Sequence, residues 1–161
     1  MRRTALFRLA ALAACAIIAG CSSGTPKFTL DGETVDATFA CPVGSDNAPY
    51  PLHASLEAHN PTPAAVTIQS VTATLKLQAT KGAWLEKIGS TYDAGSATFT
   101  PASVPAGANA TIKVTITSAC TSDKSIIAPL SYGEYVVDLH VTTSSGSFTV
   151  TSKNRHRIVA T

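Results

Sequence analysis

The sequence predicts an all-β domain, a sandwich of two sheets built from about seven strands. From Phe28 onward, apolar and polar residues alternate at a spacing of two, which is typical of strands with one buried face. Proline, glycine and asparagine recur between these runs and indicate turns. No part of this region has the 3.6-residue period of an amphipathic helix. Without helices to cover them, half-apolar strands bury their apolar faces against a second sheet.

Three strands are predicted in the first half of the domain. Their inward-facing residues are Val35, Ala37, Phe39 and Cys41, then Leu52, Ala54, Leu56 and Ala58, and then Val66, Ile68, Val71, Ala73, Leu75 and Leu77. In the third run the apolar positions change from even to odd numbers, which predicts a bulge or bend near Gln69 and Ser70. An asparagine and two prolines at 60–63 indicate a turn before this run.

Four more strands are predicted after an irregular connection at 80–95, which holds at most one short element. Their inward-facing residues are Ala97 and Phe99, then Ile112, Val114, Ile116, Ser118 and Cys120, then Tyr135, Val137, Leu139 and Val141, and finally Phe148 and Val150. Threonines and a lysine occupy the opposite positions of the 112–120 run, which therefore has one inward and one outward face.

The first twenty residues differ in composition from the rest. Three arginines among the first eight residues precede an uninterrupted small and apolar stretch, which is the layout of an export signal peptide. The uncharged run from Leu9 to Cys21 covers 13 residues, whereas a membrane-spanning helix needs ~20. The sequence therefore predicts a cleaved signal rather than a transmembrane helix.

The end of this stretch, "IAGC" at 18–21, resembles the lipobox of bacterial lipoproteins, in which an aliphatic and two small residues precede a cysteine. In that family the thiol receives a diacylglycerol, the signal is cleaved just before the cysteine, and the new N-terminus is often acylated, for example with palmitate. The resemblance implies a signal peptide at 1–20, a lipidated Cys21 within a short flexible tether at 21–27, and a domain at 28–161. The alternative is an ordinary signal peptide with a chance cysteine at the cleavage site.

Lipidation implies a protein anchored to the cell membrane, with its domain on the exported side, either periplasmic or extracellular. Removal of the signal also removes three arginines and changes the formal net charge from +2 to −1. A nucleic-acid-binding domain carries a dense basic face. The composition therefore predicts no nucleic-acid partner.

A resemblance to immunoglobulin-like and fibronectin-III-like sandwiches rests on "LSYGEYVVDLHV" at 130–141, with its leucine, glycine and tyrosine before alternating apolar residues. It implies an Ig-like domain in which Tyr135 forms a tyrosine corner, with its hydroxyl bonded to upstream backbone. Antibody domains have a cysteine two residues later, where this chain has Val137. The stretch "LEAHNPTPAAVTI" at 56–68 also resembles sandwiches of the late-embryogenesis-abundant type, in which an Asn-Pro turn follows a strand.

Two cysteines, Cys41 and Cys120, remain in the domain after processing. Exported proteins fold in an oxidising compartment, where paired cysteines form disulfides. Each cysteine is in phase with the apolar face of its own strand, so both point toward the core. The sequence therefore predicts a Cys41–Cys120 disulfide, with two buried free thiols as the alternative.

A possible ligand site lies on the polar face of the second strand, where His53, Glu57 and His59 share one side. Imidazole and carboxylate groups bind metals, so this face is an alternative metal or small-ligand site, against an ordinary solvated strand face. In the Ig-like strand order, His140 faces outward on the opposite sheet. It therefore cannot join His53, Glu57 and His59 as a further metal ligand. We therefore predict no resident metal and no cofactor.

No catalytic constellation is recognisable in the sequence. The letters of a G-x-S-x-G nucleophile elbow do not occur in a strand–turn–helix context, and the two cysteines are in buried phase, which is unsuited to thiol catalysis. No glycine-rich phosphate loop precedes a helix. The sequence therefore predicts that the protein is not an enzyme.

The candidate partner contacts are two aromatic and three basic residues. Trp84 and Tyr92 lie in the irregular connection and could anchor a partner, or the tryptophan ring could fold over the edge of the core. Lys153, Arg155 and Arg157 give the C-terminus a basic tip that could contact anionic envelope polymers or lipid, or form a frayed, solvated tail.

These patterns together predict a non-enzymatic, lipid-anchored cell-envelope protein. Its Ig-like domain would be presented to another envelope protein or to an envelope polymer. A small-ligand-binding or metal-binding lipoprotein is the alternative.

Overall fold

The computed structural model describes residues 25–124 and 131–161. The signal peptide and Cys21 predicted from the sequence therefore lie outside the described residues. Within these two ranges no helix is long and apolar enough to cross a membrane, and every regular element is a strand. The strands are β1 Thr29–Val35, β2 Thr38–Cys41, β3 Ala48–Asn60, β4 Val66–Lys81, β5 Thr91–Ser96, β6 Thr98–Thr100, β7 Ser103–Val104, β8 Ala108–Cys120, β9 Tyr132–Thr143, β10 Gly146–Thr151 and β11 His156–Ala160.

These strands form two sheets. One sheet has four strands in the order β1-β3-β8-β6, and the other has seven, with β2-β11-β9-β4-β5 as its main path, β10 beside β9 and β7 beside β4. The long antiparallel pair β3–β8 lies at the centre of the first sheet, and the pair β4–β9 lies at the centre of the second. The predicted all-β sandwich of two sheets is confirmed.

The core is built from the alternating residues of β3, β4, β8 and β9. Its largest fully buried apolar side chains are Leu52, Leu56, Leu75, Leu77, Ile112, Ile116 and Leu139. Burial of each such side chain contributes ~1.5–3 kcal/mol. The β4–β9 ladder slips between Ile68 and Ser70, and Gln69 and Ser70 are both exposed, so the predicted bulge is confirmed.

The first predicted strand is wrong as a single strand, because it divides between the sheets. β1 pairs with β3, whereas β2 pairs in parallel with β11 in the other sheet. Asp36 lies at the crossing, and its carboxylate accepts from the backbone N–H of His53 at 3.0 Å. Ala37, predicted to face the core, is exposed. Asp36 thus bonds to both backbone groups of His53, with its side chain and with its own N–H, where the chain passes from one sheet to the other.

The C-terminal segment is a strand rather than a frayed tail. β11 lies between β2 and β9, and His156 at its start is fully buried. Its Nδ1 lies 2.7 Å from the carbonyl oxygen of Asp36, and its Nε2 lies 2.9 Å from the hydroxyl of Tyr50. Because a carbonyl only accepts, Nδ1 carries the proton and Nε2 accepts from the tyrosine. Burial lowers the pKa of His156, which keeps this ring neutral.

A disulfide joins the two sheets at one end of the sandwich. Cys41 at the end of β2 is bonded to Cys120 at the end of β8, across a sequence separation of 79 residues. Both residues are buried, at 0% and 4% exposure. The predicted disulfide is confirmed, and it fixes the end of the domain at which the candidate site lies.

Candidate functional site

Three aromatic residues and one carboxylate line a cavity of about 150 Å³ at the disulfide end of the sandwich. Trp84 and Glu86 lie in the connection between β4 and β5, Tyr92 lies in β5, and Tyr135 lies in β9. The rest of the lining comes mainly from strand ends, namely Asn47, Leu75, Leu85, Ser118, Ala119, Cys120, Thr121 and Ile158. The cavity thus brings together the two aromatic residues that the sequence selected as partner contacts.

Tyr135 links the cavity walls through its hydroxyl. The hydroxyl accepts from Trp84 Nε1 at 3.1 Å and donates to Glu86 Oε2 at 2.5 Å. The Ig-like resemblance implied a bond from this hydroxyl to upstream backbone, so the tyrosine-corner prediction is wrong. The β4–β5 connection folds back over β9 and offers two side-chain partners instead.

The electrostatics of the site are those of a neutral phenol beside a carboxylate. Burial raises the pKa of Tyr135, and the hydrogen bond to Glu86 raises it further, so the phenol keeps its proton and donates it. Glu86 is the only formally charged residue in the lining. Among the described residues, no lysine or arginine forms an ion pair with it. The described lining of the cavity therefore combines one carboxylate with three aromatic side chains.

The tryptophan ring is a fixed wall of this cavity. Trp84 is half-buried and packs against the hydrophobic core. Its ring lies over Gly133 of β9, which has no side chain to hold it away. Of the two alternatives for Trp84, the structure has the ring folded over the core edge, with one side left on the cavity.

The rim of the cavity is apolar and exposed. Among the described residues, four large hydrophobic side chains are exposed: Leu85 at 55% and Tyr92 at 36% line the cavity, Ile88 at 64% lies between them in the sequence, and Val43 is the fourth. Single exposed apolar residues are ordinary, but a group of them beside a cavity indicates a contact surface.

A buried hydroxyl also lines the cavity. Ser118 is 1% exposed, and its Oγ has no hydrogen-bond partner within the described residues. It is near enough to the Tyr50 hydroxyl to oppose the rise in the pKa of Tyr50, which burial raises to about 12. The Ser118 hydroxyl thus has the Tyr50 hydroxyl as its polar neighbour, and it forms a buried polar part of the cavity wall.

The structure keeps the residues of the alternative metal site apart. The Nδ1 of His53 lies 2.9 Å from Asp36, Glu57 accepts from Thr111 at 3.1 Å, and His59 contacts Asn109. In the part of the chain that the structure describes, no three histidine, cysteine or acidic side chains are placed to hold a metal ion. The proposed site at His53, Glu57 and His59 is therefore not formed.

A larger groove of about 720 Å³ lies on the outer face of the four-stranded sheet. Four of its polar side chains form two pairs, through the 2.8 Å contact between Thr34 Oγ1 and Ser55 Oγ and the contact between His53 and Asp36. This is an open sheet face without a convergent set of unpaired groups. We therefore place the candidate site in the smaller cavity.

The basic tip is partly neutralised by a residue that the sequence did not select. Glu134 accepts from Arg155 Nη1 at 2.8 Å and from Arg157 Nη2 at 2.5 Å. Hydrogen bonds from Arg157 and Arg155 lower the pKa of Glu134, and the Arg157 guanidinium lies 4.4 Å from the Tyr132 ring centroid. These contacts hold Arg155 and Arg157 to β9. Lys153 is the one basic residue of the tip that takes no part in these contacts with Glu134 and Tyr132.

Two residues of the site were not selected from the sequence. Ser118 was predicted to face the core, but its position in phase with Cys120 gave no sign that its hydroxyl would lack a partner. Glu86 lies two residues after Trp84 in a stretch without periodicity. The one sequence signal for Glu86 as a site residue was that it lies so near the only tryptophan of the chain.

The comparisons with known proteins assign no family to this chain. No protein-family model matches the sequence, and no curated protein matches it significantly. Among solved structures, the chain is similar to one titled as a candidate late embryogenesis abundant protein, with 20% identity, a TM-score of 0.41, and coverage of 81% of this chain and 71% of that one.

Two further similarities are to bacterial and human β-domains. AggA, the major subunit of aggregative adherence fimbriae type I from Escherichia coli, gives 10% identity and a TM-score of 0.34, over 86% of this chain and 98% of that one. A PapD-like domain of human CEP192 gives 11% identity and a TM-score of 0.29, over 94% and 98%. At these scores no functional argument follows, and the assignment of the sandwich rests on the strand order itself.

Proposed function

We propose that this chain is a lipid-anchored, non-enzymatic envelope protein that holds a β-sandwich at the exported face of the membrane and binds a partner at the cavity between Trp84, Tyr92 and Tyr135. The partner is another envelope protein or an envelope polymer. The observation that carries the proposal is the exposure of two apolar side chains of the cavity lining, Leu85 and Tyr92.

The anchoring part of the proposal is supported by the cysteine pattern. The residues "IAGC" at 18–21 resemble a lipobox, and a disulfide between Cys41 and Cys120 suits an oxidising, exported compartment. Two or three acyl chains on Cys21 would give stable membrane attachment, because a single chain holds a protein only marginally.

Metabolic labelling and fractionation test the anchor. The wild-type chain should incorporate a labelled fatty acid and sediment with membranes, whereas Cys21→Ala should do neither. An unlabelled wild-type protein in the soluble fraction would overturn the anchoring proposal.

Site-specific photo-crosslinking in the bacterial cell tests the binding surface. A photoreactive residue at Leu85 should yield a discrete crosslinked species that the same residue at Ser147 does not yield. Ser147 is a matched exposed control on β10. Equal crosslinking from both positions, or none from Leu85, would contradict a partner at this rim.

A further inference from the structure

We propose that the cavity between Trp84, Tyr92 and Tyr135 binds a quaternary ammonium group of the choline type. This inference rests on the proposed binding surface and names the chemistry of its ligand. It follows from the composition of the cavity, its size and its charge.

The walls have the composition of a cation-binding cage. The faces of tryptophan and tyrosine rings carry negative potential and attract cations, and quaternary ammonium groups are recognised in this way. Trp84, Tyr92 and Tyr135 all line the cavity. The contact of Trp84 with Gly133 and its bond to Tyr135 hold the indole in place before a ligand arrives, which reduces the ordering cost of binding.

The charge of the cavity selects a cation over a neutral or anionic group. Glu86 is the single formally charged residue in the lining, and Tyr135 donates to it from one side. No lysine or arginine among the described residues neutralises it by an ion pair. A cation that enters the cavity therefore meets a carboxylate together with three aromatic side chains.

The size and polarity of the cavity favour a quaternary over a primary ammonium. Pockets for drug-sized ligands have ~300–1,000 Å³, so about 150 Å³ suits a headgroup. A primary ammonium needs hydrogen-bond acceptors for its three N–H groups, whereas a quaternary ammonium needs none and is held by aromatic side chains, of which this lining has three.

The single tryptophan of the chain provides a direct readout, because Trp84 is a wall of the cavity. The full-length protein in a non-ionic detergent is titrated with choline while its tryptophan emission is recorded, and sodium chloride controls for ionic strength. We expect a saturable change with choline. The neutral isostere 3,3-dimethylbutanol should bind about tenfold more weakly, since it lacks the charge.

Two variants and one control locate the binding. Glu86→Gln should weaken choline binding about five- to tenfold, and Tyr92→Leu should weaken it while keeping an apolar wall. Both side chains are exposed, so both variants keep the core intact. Glu57→Gln on the outer face of the four-stranded sheet should bind choline like the wild type.

A linear response equal to that of sodium chloride would overturn the proposal, and so would equal binding of choline and its neutral isostere. Unchanged affinity in Glu86→Gln would do the same. Because the crosslink from Leu85 does not depend on ligand charge, a partner crosslink without choline binding would leave the proposed surface standing and remove the ligand chemistry alone. Phosphatidylcholine vesicles added in place of choline show whether a membrane-held headgroup can reach the cavity.

Discussion

The indole ring of Trp84 lies so close to Gly133 that a β-carbon on the glycine would be 2.6 Å from its Cε2 and Nε1 atoms. Contacts under 3.0 Å are essentially never made by real β-carbons. The absence of a side chain at Gly133 therefore lets the ring reach β9 and places Nε1 on the Tyr135 hydroxyl. One backbone position thus sets the wall of the cavity.

Replacement of Gly133 by alanine should displace this ring. We expect a loss of about 1–3 kcal/mol in the free energy of unfolding, as for other overpacked positions. We also expect tryptophan emission at longer wavelength, because the ring moves toward water. Urea unfolding and the emission spectrum measure both effects.

The control for this prediction is a double-mutant cycle with Trp84→Leu. Without the indole ring, Gly133→Ala should cost much less, and the difference gives the coupling between the two positions. Equal cost in both backgrounds would show that the glycine serves the backbone of β9 and has no part in placing the ring.

The sequence could predict the features that follow from period-two alternation within one strand. These include the inward faces of β3, β4, β8 and β9, the bulge after Ile68, and the inward direction of Cys41 and Cys120. Alternation carries no information on which strand a segment pairs with. The division between β1 and β2 occurs where the Asp36 carboxylate bonds to His53, seventeen residues away in the sequence. No local pattern shows this long-range contact.

The candidate site could be predicted only in part for the same reason. Trp84 and Tyr92 were selectable as aromatic residues in an irregular stretch. Their meeting with Tyr135, about fifty residues further on, depends on the docking of the β4–β5 connection against β9. The burial of Glu33 was not predicted from the sequence, although this residue is in phase with inward-facing Val35.

Glu33 is a buried carboxyl that makes stability depend on pH. It is 0% exposed, and neither oxygen has a side-chain hydrogen-bond partner among the described residues. Burial, followed by the charge of Asp138, raises the pKa of Glu33 from 4.5 to about 8, although the nearby Leu139 backbone N–H opposes the rise in part. The folded state therefore binds more protons than the unfolded state between these two values.

Stability should consequently fall as the pH rises from about 4.5 to about 8, and then level off, by an amount of a few kcal/mol. Glu33→Gln keeps the size of the side chain and cannot ionise, so it should lose this dependence and exceed the wild type in melting temperature at pH 8. Melting curves at pH 5 and pH 8 measure the effect. Parallel pH profiles for the two proteins would show that Glu33 does not cause it.

The Cys41–Cys120 disulfide should account for a large part of the stability. It joins two residues that are 79 positions apart in the sequence. For a loop of this length the chain-entropy model gives a stabilisation of about 4–5 kcal/mol, and removal of a native disulfide from small exported domains costs ~2–5 kcal/mol. Cys41→Ser should lower the urea midpoint accordingly. As a control, Cys120→Ser should lower the urea midpoint by the same amount as Cys41→Ser. A reductant should destabilise the wild type and leave both variants unchanged. A Cys41→Ser protein that melts with its parent would contradict the prediction.

Asn60 holds together the turn between β3 and β4. It is fully buried, and its Nδ2 donates to the carbonyl oxygens of Ala64, Val104 and Pro105 at 2.9–3.0 Å. Its Oδ1 accepts from the Thr62 hydroxyl at 2.7 Å. An amide is the side chain that can both donate and accept in this position.

Asn60→Asp should be among the most destabilising isosteric changes in the domain. At pH 7 the carboxylate of the aspartate would lie against three carbonyl oxygens, and these oxygens would also lack their hydrogen-bond donor. We expect the free energy of unfolding to fall by roughly 3 kcal/mol or more. The penalty should be smaller at pH 4, because a protonated carboxyl can donate one hydrogen bond. Urea unfolding at both values measures it, with Asn47→Asp, an exposed position, as the control expected to stay within about 0.5 kcal/mol of the wild type. If the two substitutions cost the same, the amide of Asn60 does not organise this turn.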